Sequence, residues 1–174
     1  MNINQAAELK ATFDRDGFVI LRHFISAEQV EEIARRGEAA IRIRPAFEGP
    51  FTNITKGLER LDPYFEELLH NGPHVPLLEM LLGQKPEPTT ASFFTKTKNE
   101  QQVHPHSDAI EGGVIWVALD DTNRENGCLH FLRGSHQRQA EFAHLKAHEP
   151  TDLSDHPDCV EAAMSTGDLV LFRP

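Results

Sequence analysis

The chain is poor in cysteine, in positive charge and in long apolar runs, and each shortage narrows what it can be. Only two cysteines occur in 174 residues, and they stand in different settings: Cys128 opens an apolar strand and Cys159 follows a polar loop. A packed thiol in a reducing compartment is the reading for Cys128. Lysine and arginine number 17 against 27 aspartates and glutamates, a net charge of -10. That balance repels a phosphate backbone over most of the surface, so nucleic acid is not an expected partner. No apolar run approaches the length that spans a bilayer, and Met1-Asn2-Ile3-Asn4-Gln5 has neither the positive start nor the apolar stretch of a signal peptide. A cytoplasmic protein without a membrane partner is the expectation.

What remains is ordinary for a globular protein: 39% hydrophobic and 25% charged residues, with no repeat and no low-complexity tract. One domain over residues 1–174 is expected, mainly helical over 1–88 and mainly sheet over 89–174. Ala6, Leu9 and Phe13 make a short helical stripe, and Asp16-Gly17 turns the chain into the buried strand Phe18 to Leu21. Ser26 precedes Gln29 by three residues, the capping-box spacing, and Val30, Ile33, Ala34, Gly37 and Ile41 then recur at helical intervals. Asp62-Pro63 begins a helix that Asn71-Gly72-Pro73 ends, and Pro76 and Gly83 bracket another. From Thr89 onward β-branched and aromatic residues take over. Thr89 to Thr95, Gly113 to Leu119, Cys128 to Leu132 and Leu169 to Phe172 read as strands, and Lys146 to Asp158 as a surface loop. Helices followed by strands predict an α+β arrangement in which helices buttress an antiparallel sandwich or barrel.

The chemistry concentrates in His106-Ser107-Asp108. On an extended segment, residues two apart project to the same face, so an imidazole and a carboxylate can bind one ion together. Two histidines and a carboxylate with open opposite positions is the arrangement that suits non-haem Fe(II) oxygenases. The same spacing recurs at His156-Pro157-Asp158, but inside the polar loop, where solvated side chains are expected. His104 would add a third potential ligand to the face, as in several zinc hydrolases, although the metallo-β-lactamase signature places a second histidine where Ala109 stands. We read His104 as a supporting or exposed imidazole. His130 is expected on the strand face away from the core, His136 in a turn, and His23, His70, His74, His144 and His148 as surface residues.

Trp116-Val117-Ala118-Leu119-Asp120-Asp121, Glu125-Asn126-Gly127-Cys128-Leu129 and Arg133-Gly134-Ser135-His136, behind His106-Ser107-Asp108, together resemble the phytanoyl-CoA dioxygenase family of Fe(II)- and 2-oxoglutarate-dependent oxygenases. Asp16 to Leu21 is similar to that family's N-terminal strand, so the resemblance spans nearly the whole chain. It implies a double-stranded β-helix, a cupin-like jelly roll with the N-terminal helices packed outside. It also implies Fe(II) as cofactor, 2-oxoglutarate and O2 as co-substrates, and a small organic molecule as the substrate hydroxylated.

Carried over by residue, His106 and Asp108 match the first two iron ligands. Trp116 matches a tryptophan lying against 2-oxoglutarate, a position a core aromatic would also fill. Lys56 is similar to a lysine reaching the cofactor pocket, with a solvated surface lysine as the alternative, and Ser92, on the preceding strand, is a further candidate. Asp108 points to hydroxylation over halogenation, because related halogenases replace this carboxylate with a small residue. Arg133 departs from the family's usual proline. The distal histidine and the arginine that pairs with 2-oxoglutarate would fall past Pro174, so the resemblance implies a C-terminally truncated chain, a jelly roll lacking its last strands, and Leu169 to Phe172 as an exposed edge. Two other readings stay open: a non-catalytic jelly-roll module that binds a metal or small ligand, and a zinc hydrolase using His104, His106 and Asp108.

Overall fold

A computed structural model describes residues 2–43, 53–96, 102–108 and 112–174. Helix α1 (Ile3–Asp16) starts at a capping box in which the Asn2 side chain accepts from the Gln5 N–H at 3.0 Å and Gln5 accepts from the Asn2 N–H at 2.9 Å. It stops at Gly17, whose φ of +85° is a left-handed conformation that suits glycine, and strand β1 (Phe18–Leu21) follows at once. Ser26 and Gln29 cap helix α2 (Ala27–Ile43) reciprocally, at 3.3 Å each.

Strand β2 (Ile54–Lys56) and a 3-10 turn (Leu58–Arg60) lead to helix α3 (Pro63–Asn71), where the Asp62 carboxylate accepts from the Tyr64 N–H at 2.9 Å. Helix α4 (Val75–Leu82) completes the helical part. Then come β3 (Ser92–Phe94), β4 (Val114–Val117), β5 (Leu129–Leu132), a 3-10 turn at Ser135–Gln137, the short α5 (Gln139–Phe142), β6 (Cys159–Ala162) and β7 (Leu169–Phe172).

All pairings are antiparallel: β1-β7-β4 form one sheet, β2-β3 a second and β5-β6 a third. The expected exposed edge at Leu169 to Phe172 is therefore a correction. β7 is the middle strand, Phe172 lying opposite both Phe18 and Val114, and Leu169, Val170 and Leu171 have no accessible surface. Side chains alternate between faces with a period of two, which divides the core cleanly. Val19, Leu169, Leu171, Ile115 and Val117 pack on the helices with Phe13, Val30, Ile33, Leu58 and Leu81. Phe18, Val170, Trp116 and Phe172 face Leu129, Phe131 and Val160 of the β5-β6 hairpin, with Phe131 stacked on Phe18 at 4.5 Å and tilted against Phe172 at 5.1 Å.

Asp168 locks the corner before β7. It is wholly buried, and its carboxylate accepts from Arg22 at 2.6 Å, the His23 N–H at 2.8 Å and the Ser165 N–H at 2.9 Å. Burial alone would push this carboxyl upward, and the three donors outweigh it and hold the pKa below the ordinary carboxylate value. The Arg133-Gly134-Ser135-His136 turn closes the opposite corner. The Gly134 N–H donates to the Asp16 carbonyl at 2.9 Å, and the His136 ring reaches the Asp14 carbonyl at 3.1 Å, satisfying carbonyls at the end of α1. His74, expected at the surface, is instead 6% exposed between α3 and α4. Both cysteines are free, Cys128 buried as a packed thiol.

Candidate metal centre

His106 and Asp108 emerge from an extended segment, and the two side chains meet as the period-two argument requires: His106 Nε2 stands 3.5 Å from Asp108 Oδ1. The other ring nitrogen is committed, because Nδ1–H donates to the His104 carbonyl at 2.8 Å. That bond leaves Nε2 facing the carboxylate, where it carries a proton toward Asp108 or, once that proton is released, offers a lone pair to a metal, as metal-binding histidines are commonly oriented. The His104 N–H donates to the Ala147 carbonyl at 2.9 Å, so the polar loop anchors the ligand segment. Neither contact has a side-chain signature, and no sequence pattern would have found them.

The local field favours a cation between the two groups. The bond to Asp108 raises the His106 pKa against the effect of burial, and the His104 carbonyl adds to it. The bond from His106 lowers the Asp108 pKa against burial, and the Lys56 charge lowers it further. Lys56 thus lies within electrostatic reach of Asp108. In the β2-β3 register Lys56 is paired with Ser92, which puts both on one sheet face. Four of the five expected site residues are therefore drawn into one neighbourhood. Trp116 is on the inner face of β4, in the apolar group with Phe18, Phe131 and Val170.

The second His-x-Asp pair contrasts with the first. Asp158 is engaged by Arg138 at 2.8 Å, and His156 Nδ1 accepts from the Asp158 N–H at 3.1 Å, with its ring edge-on to Phe142. Both potential ligands are used to hold the loop. His130 is exposed, as expected. Among the described residues no three His, Cys, Asp or Glu side chains converge on a metal position, so the His104 ring does not join His106 and Asp108 in a zinc site. Nor is any helix among them long and apolar enough to cross a membrane.

Solved structures share this fold of helices and antiparallel sheets. The epimerase SnoN, in complex with Fe3+, alpha ketoglutarate and nogalamycin RO, superposes with a TM-score of 0.74 at 20% identity, over 98% of this chain and 75% of SnoN. EctD from S. alaskensis, with 2-oxoglutarate and 5-hydroxyectoine, gives 0.75 at 18% identity, over 99% of this chain and 67% of EctD. The pattern of the phytanoyl-CoA dioxygenase (PhyH) family matches residues 13–174, and the chain belongs to that family. A phytanoyl-CoA dioxygenase domain-containing protein 1 homolog of Caenorhabditis briggsae is 24% identical over 203 residues, covering 83% of this chain and 70% of the relative. The phytanoyl-CoA dioxygenase domain-containing protein 1 of Mus musculus is 33% identical over 115 residues, covering 60% of this chain and 38% of the relative.

Proposed function

We propose that this chain carries the cofactor site of an Fe(II)- and 2-oxoglutarate-dependent dioxygenase that hydroxylates a small organic molecule. The observation that carries the reading is the His106–Asp108 pair, with Nδ1 tied to a carbonyl and Nε2 left beside the carboxylate. One imidazole nitrogen and one carboxylate oxygen fit Fe(II), and these two residues would hold it, with a third donor from outside the described residues. Iron with 2-oxoglutarate and O2 supplies the oxidising power for C–H hydroxylation. Lys56 would receive a carboxylate of 2-oxoglutarate, Ser92 opposite it would donate its hydroxyl, and Trp116 would wall the pocket against water. The β1-β7-β4 sheet and the β5-β6 hairpin would be facing parts of a double-stranded β-helix.

Support comes from family membership and from neighbours described with iron and 2-oxoglutarate bound. One observation favours a second reading, a non-catalytic metal- or ligand-binding jelly-roll module: among the described residues two donors meet, not three. An anaerobic titration with Fe(II) and 2-oxoglutarate, followed by the visible charge-transfer band of the chelate, separates them. The dioxygenase reading expects a saturable band that Asp108→Ala abolishes together with 2-oxoglutarate-dependent O2 uptake. A band or an uptake indifferent to that substitution removes Asp108 from the chemistry.

A further inference from the structure

The alternation of β3 runs past Phe94. The Thr95 N–H donates to the Asn53 carbonyl at 3.0 Å and the Asn53 side chain to the Thr95 carbonyl at 2.9 Å, extending the pairing with the β2 side by one residue. Lys96 therefore follows Ser92 and Phe94 onto one face. Phe93 takes the other, its ring against Gly37 of α2. Lys56, across from Ser92, shares the Lys96 face.

The Lys96 side chain is placed rather than free in solvent. Its ammonium donates to the Gly127 carbonyl, and its stem crosses Gly127 so closely that a Cβ there would meet Nζ at 3.2 Å and Cδ at 3.3 Å. Gly127 itself has a φ of +88°, a left-handed conformation that favours glycine. Although much of the residue's surface is open, partial desolvation of the ammonium lowers its pKa.

Charge accounting separates Lys96 and the exposed Lys85 from most of the other described cations. In a chain of net charge -10, every described arginine has a carboxylate within 4.0 Å, as do Lys10 and Lys146. Neither Lys96 nor Lys85 has a carboxylate within 4.0 Å among the described residues, but only Lys96 of the two is held in place there by a hydrogen bond, to a neutral carbonyl that leaves no described anion on its ammonium. Beside it on the same face, Phe94 is 40% exposed, one of three large apolar residues so open among those described.

We propose that Phe94 and Lys96 form the substrate subsite and that the substrate is a small organic acid, its apolar body on Phe94 and its carboxylate on the Lys96 ammonium. This rests on the reading of Lys56 and Ser92 as the 2-oxoglutarate group. Ser92 and Lys96 are four residues apart, about 13 Å along a strand. Lys96 is tied to the Gly127 carbonyl while the Lys56 charge acts on Asp108, so the two lysines are assigned to different molecules. A substrate anchored at Lys96 would lie along the face toward His106 and Asp108.

Metal-free protein tests the subsite without the cofactor reading. Benzoate and its neutral isostere benzamide are titrated while the backbone amide signals of Phe94, Lys96 and Gly127 are followed by NMR. Benzoate is expected to give saturable shifts at these three amides, with benzamide at least fivefold weaker. Lys96→Met should weaken benzoate by roughly fivefold to tenfold and leave benzamide unchanged, and Lys96→Arg should restore most of the loss. Equal binding of acid and amide by the wild type overturns the proposal, and that comparison stands even if Lys96→Met fails to fold. Benzoate affinity unchanged in a folded Lys96→Met variant overturns it equally. Absence of the charge-transfer band in the iron titration would remove the cofactor reading while leaving the benzoate result to be judged by itself.

Discussion

Protonation of His74 links one side chain to the stability of the helical layer. The ring is buried at the start of α4, its Nδ1 has no hydrogen-bond partner among the described residues, and burial depresses its pKa. The dipole at a helix N-terminus opposes a cation there as well. In the unfolded chain this histidine titrates near 6.5, above its folded value. Its contribution is therefore complete above about pH 6.5 and is lost as pH falls from there toward the folded pKa. Thermal melts of wild type and His74→Gln should diverge in slope below pH 6.5, the wild type losing stability more steeply by up to one bound proton. Parallel slopes would mean that the ring is not held neutral. The pH sensitivity could not be read in the sequence, where His74 looked like any surface histidine between Pro73 and Pro76. Burial by neighbouring helices is a long-range property, and the local pattern carries no trace of it.

Helix α2 meets the second sheet through a contact that only glycine permits. A Cβ on Gly37 would come within 2.2 Å of the Phe93 ring, so Gly37→Ala should push helix and strand apart and cost about 1–3 kcal/mol in denaturant unfolding. Phe93→Leu in the same background should recover part of that loss. If Gly37→Ala alone is neutral, the ring has room to move and the contact is not a constraint. Gly37 falls on the apolar stripe of α2 in the sequence, but periodicity does not name its partner. The same limit explains which elements were legible. β1 and β7 were readable to the residue because Phe18 to Leu21 and Leu169 to Phe172 are continuous apolar runs. β2 and β6, three and four residues of mixed character, depend on partners far along the chain and were missed. Strand order was equally out of reach, which is why β7 was expected at an edge and stands in the middle. At the candidate site, the His106–Asp108 spacing was readable from local geometry, whereas the pairing of Lys56 with Ser92 is a matter of register. The His104 and Ala147 carbonyls are backbone groups that any residue would supply.

Across the whole molecule, protection should be graded outward from β7. This strand is hydrogen-bonded on both sides and covered by apolar groups on both faces, while β2-β3 pair only with each other among the described residues. Native-state hydrogen exchange should find its slowest amides at Val170 and Leu171 and markedly faster ones at Thr55 and Phe93. The reverse order would mean that β2-β3 rather than the three-stranded sheet is the stable nucleus. The β1-β7 pairing also has a consequence in time. Phe18 lies opposite Phe172, about 150 residues away. At a synthesis rate of roughly 5–20 residues per second, β1 would leave the ribosome on the order of ten seconds before its partner exists. Through that interval Phe18 and Ile20 have no strand to cover them, so the growing chain is a natural client for a holding chaperone, and a slowed ribosome prolongs its exposure to aggregation.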